Sequence, residues 1–274
     1  MRLLIHKNHE NASLWAAWHI AERIGAYKPT GHKPFALGLP TGDSPRLIYR
    51  ELARLAQEKK LSFANVRTFN MDEYVGLPPD HPQSYSRFMR ENLFDHVDID
   101  PANTRTPDGM AEDLEKECQE YEDAIARAGG IELFLGGMGS DGHIAFNESG
   151  SSLNSRTRVK TLTENTRSDN ARFFGGDPSK VPPTALTVGV GTIMEAREVV
   201  IIVSGSKKAR ALQAVVEEGI NHMWTLSCLQ THPRAIIVCD ESAAEEMMVK
   251  TVRYFKDIED ETLRKFEERL RQVR

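Results

Sequence analysis

Residues 34–45 read PFALGLPTGDSP. The stretch 35–39 has no polar residue at alternate positions, which suits a strand covered on both faces and therefore a mainly parallel sheet. Pro40 and Gly42 end the run, Ser44 is placed to cap a following helix, and Pro45 fits a first helical turn, where no backbone donor is lost. The same order of apolar run, turn and helical periodicity recurs along the chain. Apolar runs lie at 66–70 (VRTFN), 131–138 (IELFLGGM), 199–204 (VVIIVS) and 235–239 (AIIVC). Helical patterning is read over 8–26, 44–57, 82–94, 111–128 and 207–217. Alternation of this kind predicts an α/β fold: a mainly parallel sheet flanked by helices.

No repeat, low-complexity tract or linker divides the chain, so residues 1–274 are read as a single α/β domain. The end, 257–274, is mostly charged, with Ile258, Leu263, Phe266 and Leu270 at helical spacing. It reads as a solvated terminal helix with a narrow apolar stripe, or as a helix docked on another subunit.

The chain is 40% hydrophobic and 27% charged, ordinary for a globular protein with a sizeable core. A formal charge of −5 argues against a nucleic-acid surface while leaving room for a local basic pocket. Cys118, Cys228 and Cys239 are few, odd in number and far apart, as reduced thiols are. The first residues, MRLLIHK, hold too short an apolar run for a signal peptide, and no stretch approaches a bilayer span. A cytoplasmic protein with neither membrane nor nucleic-acid partner is expected.

Three segments carry chemistry. The loop 41–45 opens a helix with small residues, leaving N–H groups at the positive end of the helix dipole, where a phosphate binds; it equally reads as a plain turn. It is neither a Walker loop nor a GxGxxG fingerprint, so no nucleotide is implied. In FNMDEY (69–74), Asp72 and Glu73 stand at the carboxyl end of a strand, where ligands of parallel sheets gather. Neighbouring carboxylates on an extended chain point to opposite sides, so one can face a cleft while the other serves structure. In GGMGSDGHIAFNE (136–148), glycines allow close backbone approach and His143 lies between Asp141 and Glu148. Two carboxylates within reach of one imidazole would set its tautomer and tune a general acid/base. No second histidine lies at ligand spacing, so no metal is expected.

LPTGDSP (39–45), TFNMDEYVGL (68–77), GSDGHIAFNE (139–148), SRTRVKTL (155–162), ALTVGVGT (185–192) and NHMW (221–224), in this order and spacing, resemble the glucosamine-6-phosphate deaminase family. The resemblance covers about 1–256. It implies a modified Rossmann-like fold, shared with ribose-5-phosphate isomerase A and 6-phosphogluconolactonase, and homo-hexameric association. It implies that Asp72 moves a proton between C2 and C1 of glucosamine 6-phosphate. It further implies that His143 opens the ring with Asp141 and Glu148 as partners, and that no cofactor is required. Arg172 and Lys208 would join Thr41, Gly42, Asp43 and Ser44 around the substrate phosphate, and 158–185 would form a lid. Ser151, Arg158, Lys160, Thr161 and Tyr254 match an activator site for N-acetylglucosamine 6-phosphate between subunits.

Two positions depart from the family pattern. Residue 43 is Asp where the family has Gly, Ser or another uncharged or basic residue. A carboxylate roughly 7 Å from a phosphate costs ~0.6 kcal/mol per unit-charge pair in water-like surroundings and ~2.4 kcal/mol at an effective dielectric of about 20. Asp43 is therefore expected to turn to solvent. Ser149 stands where the family has Pro, which should relax the loop after Glu148. A 6-phosphogluconolactonase-like hydrolase, an isomerase of another aldose phosphate and a non-catalytic sugar-phosphate sensor are the competing readings. Asp72 and Glu148 speak against the first, and Asp72 with His143 against the sensor.

Overall fold

The computed structural model describes residues 1–273. In chain order the elements are β1 (Arg2–His6), α1 (His9–Tyr27), β2 (Phe35–Leu39), α2 (Arg46–Gln57), β3 (Val66–Asn70), β4 (Asp72–Tyr74), α3 (Tyr85–Asn92), β5 (Thr104–Arg105) and α4 (Leu114–Arg127). Then follow β6 (Leu133–Gly137), β7 (Arg158–Thr161), α5 (Glu164–Asn170), β8 (Thr184–Thr187), α6 (Val190–Met194), β9 (Val199–Val203), α7 (Ala209–Glu217), β10 (Ala235–Asp240), α8 (Val249–Ile258) and α9 (Asp260–Val273).

Seven strands form one sheet in the order β1-β10-β9-β6-β2-β3-β5, and every pairing is parallel. The apolar runs become its strands because both faces are covered. On one face Ala36, Phe69, Phe134 and Ile201 pack with side chains of α4, α6 and α7. On the other, Leu37, Val66, Leu135 and Ile202 pack with α1, α2, α3 and α9. Side chains one residue apart thus enter different cores, as the two-residue period of a strand requires. Gly38 is matched to Phe134 across β2 and β6, and a Cβ there would lie 2.6 Å from the ring, so the missing side chain makes room for the aromatic one.

A second sheet, β4-β8-β7, is antiparallel and brings Asp72 opposite Thr187. Its strands are three or four residues long, and β7 (RVKT) buries none of them, so neither length nor pattern announces them. α5 (ENTRSDN) is polar throughout and starts on a Thr163 cap, so it too lacks an apolar stripe.

Two local expectations are corrected. Ser44 does not cap α2: Pro45 occupies the N-cap position, no side chain caps it, and the Ser44 hydroxyl lies 3.5 Å from Lys208 Nζ. The terminal segment is two helices broken at Glu259, whose carboxylate takes the Arg2 guanidinium at 2.7 and 2.6 Å. α9 does not float in solvent. Phe266 is 5% exposed, edge-on to His6 at 4.7 Å and tilted against Trp18 at 5.4 Å, with Leu263 and Leu270 beside it. The stripe docks on its own chain, while Ile258 ends α8 at 53% exposed.

Phe266→Ala should therefore cost roughly 3 kcal/mol, read as a lower urea midpoint at unchanged slope. A loss below about 0.5 kcal/mol, the range of surface substitutions, would mean that α9 rests on the surface.

Candidate active site

β2 connects to its neighbour β3 on one side of the sheet, whereas β6 leads by way of the small sheet to its neighbour β9 on the other. Chains leaving adjacent strands in opposite directions open a crevice at the strands' carboxyl ends. A cavity of about 850 Å³ lies there, lined from the loop after β2 (Thr41–Ser44), the start of β4 just past β3 (Asp72), the loop after β6 (His143), the turn after α5 (Arg172) and the residue before α7 (Lys208).

Asp72 is 6% exposed, and its Oδ1 is buried without a hydrogen-bond partner. Burial, with the neighbouring Glu73 carboxylate, holds its carboxyl well above the usual range. Glu73 has the structural role. It is buried and accepts the N–H groups of Tyr74, Tyr85 and Ser86 at 2.9–3.0 Å, tying β4 to the start of α3. The alternation expected for adjacent carboxylates is what the backbone delivers. Tyr74 and Tyr85, 4.9 Å apart between ring centres, wall the cavity beside Asp72. Tyr85 carried no local signal, because the placement of α3 brings it there.

His143 is positioned by a tight loop in which Gly139 N–H donates to His143 O at 2.9 Å and Gly142 N–H to Gly139 O at 3.1 Å. A Cβ at Gly139 would land on the imidazole, so glycine lets the ring lie against the backbone. Gly142 has φ +76° and abuts Trp224 of the NHMW segment. His143 Nδ1 lies 2.5 Å from Asp141 Oδ1. Burial raises the Asp141 carboxyl, but the contact with His143 outweighs it and leaves the group below its ordinary value.

Glu148 departs from expectation. It is 2% exposed and receives the Thr163 N–H at 3.0 and 3.1 Å and the Thr163 hydroxyl at 3.2 Å. The imidazole therefore has one carboxylate partner, Asp141, and Glu148 fastens the loop to the start of α5. Ser149 is not slack either: its hydroxyl donates to Met223 O at 2.8 Å.

At the other end of the cavity, among the described residues, no backbone acceptor takes the N–H groups of Thr41, Gly42, Asp43 or Ser44. Lys208, half-buried beside Ser44, is pushed down to about 8 by burial and by Arg172. Arg172 is exposed and lies 3.1 Å from Asp43 Oδ2, while Arg46 lies 3.4 Å from Asp43 Oδ1. Asp43 is exposed, with 52% of its side chain accessible, as expected; what the sequence did not suggest is that it also lies between two guanidinium groups. Ser140 Oγ donates to Asp169 Oδ2 of α5 at 2.9 Å, a second fastening of segment 158–185 that the sequence did not suggest.

Ser151, Arg158, Lys160 and Thr161 lie on β7 and the loop before it. The Ser151 hydroxyl is buried without a partner. Arg158 is bonded to Asn147 Oδ1 at 2.8 Å and to Arg156 O, with no carboxylate beside it among the described residues, and burial lowers its guanidinium. Tyr254 stands apart on α8, 59% exposed and packed on Phe255. Among the described residues no cluster of three His, Cys, Asp or Glu is placed to hold a metal ion, and no helix is long and apolar enough to cross a membrane.

The family model for glucosamine-6-phosphate isomerases/6-phosphogluconolactonase matches residues 8–239. The glucosamine-6-phosphate deaminase of Parabacteroides distasonis is 57% identical over 263 residues, 96% of this chain and 97% of that one. That of Phocaeicola vulgatus is 58% identical over 263 residues, 96% of this chain and all of the other. Among solved structures, a monomeric glucosamine-6-phosphate deaminase superposes with a TM-score of 0.85 at 39% identity, covering 89% of this chain and 99% of that one. A 6-phosphogluconolactonase from Trypanosoma cruzi shares the fold, with a TM-score of 0.70 at 21% identity over 90% of this chain and 97% of its own. The chain belongs to the family of glucosamine-6-phosphate isomerases and 6-phosphogluconolactonases, and within it to the glucosamine-6-phosphate deaminases.

Proposed function

We propose that the chain opens the ring of α-D-glucosamine 6-phosphate and, with water, converts it to D-fructose 6-phosphate and ammonia, a step of amino-sugar catabolism that serves N-acetylglucosamine utilisation. The observation that carries this is one cavity holding a buried carboxyl with one oxygen unpartnered, an imidazole against a carboxylate, and basic groups at the far end.

His143, its tautomer set by Asp141, delivers a proton to the ring oxygen and takes one from the anomeric hydroxyl. In the open aldehyde the C2–H is acidic, and Asp72 removes it to give an enolamine. Protonation at C1 leaves an iminium at C2; water adds there and ammonia departs. Free N–H groups at 41–44, with Lys208 and Arg172, hold the phosphate. The whole chain acts as one catalytic unit, and 158–185, fastened through Thr163 and Asp169, is its lid.

We further infer a cytoplasmic homo-hexamer activated by N-acetylglucosamine 6-phosphate. Support comes from Arg158, a half-buried cation that has no carboxylate beside it among the described residues, and from the buried Ser151 hydroxyl, which has no partner among them. Lys160 and Thr161 continue that surface. Tyr254, distant on α8, would reach it from a neighbouring subunit.

Incubation with glucosamine 6-phosphate should release ammonia and fructose 6-phosphate in equal amounts, with more at subsaturating substrate when N-acetylglucosamine 6-phosphate is added. Absence of both products from folded protein would refute the reaction, and velocities indifferent to the second compound would refute the activator.

The pH profile has a sign at each end. Asp72 acts as the anion and its carboxyl is raised, so kcat/KM should fall as pH drops while still above the ~4 of a free carboxylate. Lys208 binds phosphate as the cation and is lowered to about 8, so KM should climb as pH rises through that value. In Lys208→Arg the climb should disappear, because a guanidinium keeps its proton. An acid limb at ~4, or a climb unchanged in that variant, would contradict these assignments.

A further inference from the structure

The phosphate end of the cavity already contains an anion. Asp43 Oδ1 lies 3.4 Å from Arg46 Nε, and Oδ2 lies 3.1 Å from Arg172 Nη2. Arg46 is itself held in place: Nη1 donates to Asn92 Oδ1 at 3.0 Å, and the guanidinium lies 4.8 Å over the Phe88 ring. One carboxylate oxygen is therefore anchored on the body of the fold, which aims the other at the lid. Arg172 belongs to the lid, and its guanidinium also lies 4.6 Å over the neighbouring Phe173 ring. Thus the only carboxylate beside this cation, among the described residues, comes from the loop that offers N–H groups to a ligand.

From this geometry we infer that Asp43 is an internal occupant of the phosphate subsite, a specificity-determining residue that a ligand's phosphate must displace from Arg172. The inference rests on the assignment of residues 41–44, Arg172 and Lys208 to the phosphate. Two consequences follow. The lid is fastened over the cavity by Asp43–Arg172 at one point and Ser140–Asp169 at another. A ligand gains Arg172 only by outcompeting a carboxylate, which a phosphate dianion does and a neutral sugar cannot. Simple repulsion between Asp43 and phosphate would also weaken binding, but would act whether or not Arg172 is present.

Calorimetric titration with inorganic phosphate separates the two through a double-mutant cycle of wild type, Asp43→Asn, Arg172→Ala and the double variant. Asp43→Asn should tighten phosphate binding about fivefold when Arg172 is present, and by less than about twofold when Arg172 is Ala. In ligand-free protein, trypsin should cut the lid after Arg167, Arg172 or Lys180 faster in Asp43→Asn than in wild type. Equal tightening in both backgrounds would overturn the inference in favour of field repulsion. Unchanged or weaker phosphate binding in Asp43→Asn, or unaltered lid cleavage, would overturn it too. These readouts need no turnover, so a failure to release ammonia from glucosamine 6-phosphate would count against the proposed reaction alone.

Discussion

The sheet parts between β2 and β6, with β2 continuing to β3 on one side and β6 reaching β9 on the other. Parallel strands buried on both faces leave only their ends for loops, and at this parting the loops diverge and leave a crevice. The groups of the site sit on the segments that leave these strands or lead into the following helices. Asp72 follows β3, His143 rides the loop after β6, Lys208 precedes α7, and residues 41–44 precede α2.

The two ends of the crevice differ in how they treat charge. Around Asp72 the surroundings are tyrosine rings and buried backbone, so the anion is penalised and the carboxyl rises. At the other end Lys208, Arg172, Arg46 and Lys207 gather in a protein whose formal charge is −5. Burial depresses Lys208, and Asp43 supplies the counter-charge that the exposed guanidinium groups take up. On the proposed reading the proton-transfer group lies at the buried end and the anion-holding groups at the exposed one, which would orient a sugar phosphate along the cavity.

Much of the scaffold could be read from residue order. The run 199–204 became β9 within one residue, because a strand buried on both faces is continuously apolar, and 66–70 became β3 although Arg67, Thr68 and Asn70 interrupt its apolar residues. β7 and α5 were illegible, since RVKT and ENTRSDN are held by pairing and capping and not by an apolar face. At the site, the local sequence announced residues that share a loop, such as Asp141 with His143. It could not place Glu148 on Thr163, fifteen positions away, nor bring Asp43 to Arg172 across the cavity. Asp43 is exposed as repulsion from phosphate suggested, but the two guanidinium groups beside it are supplied by tertiary packing and could not be read locally. The terminal segment misled differently: a stripe of four side chains, of which Ile258 falls on α8, looks marginal until Phe266 is seen against His6 and Trp18.

The central claim divides the work, with ring opening at His143 and proton removal from C2 at Asp72. Magnetisation exchange between the α and β anomers of glucosamine 6-phosphate, followed by NMR together with ammonia release, tests that division in Asp72→Asn. The account predicts continued acceleration of anomer exchange with ammonia release lost by at least about a hundredfold, the scale of a positioned general base. Ammonia released at close to the wild-type rate by that variant would contradict it.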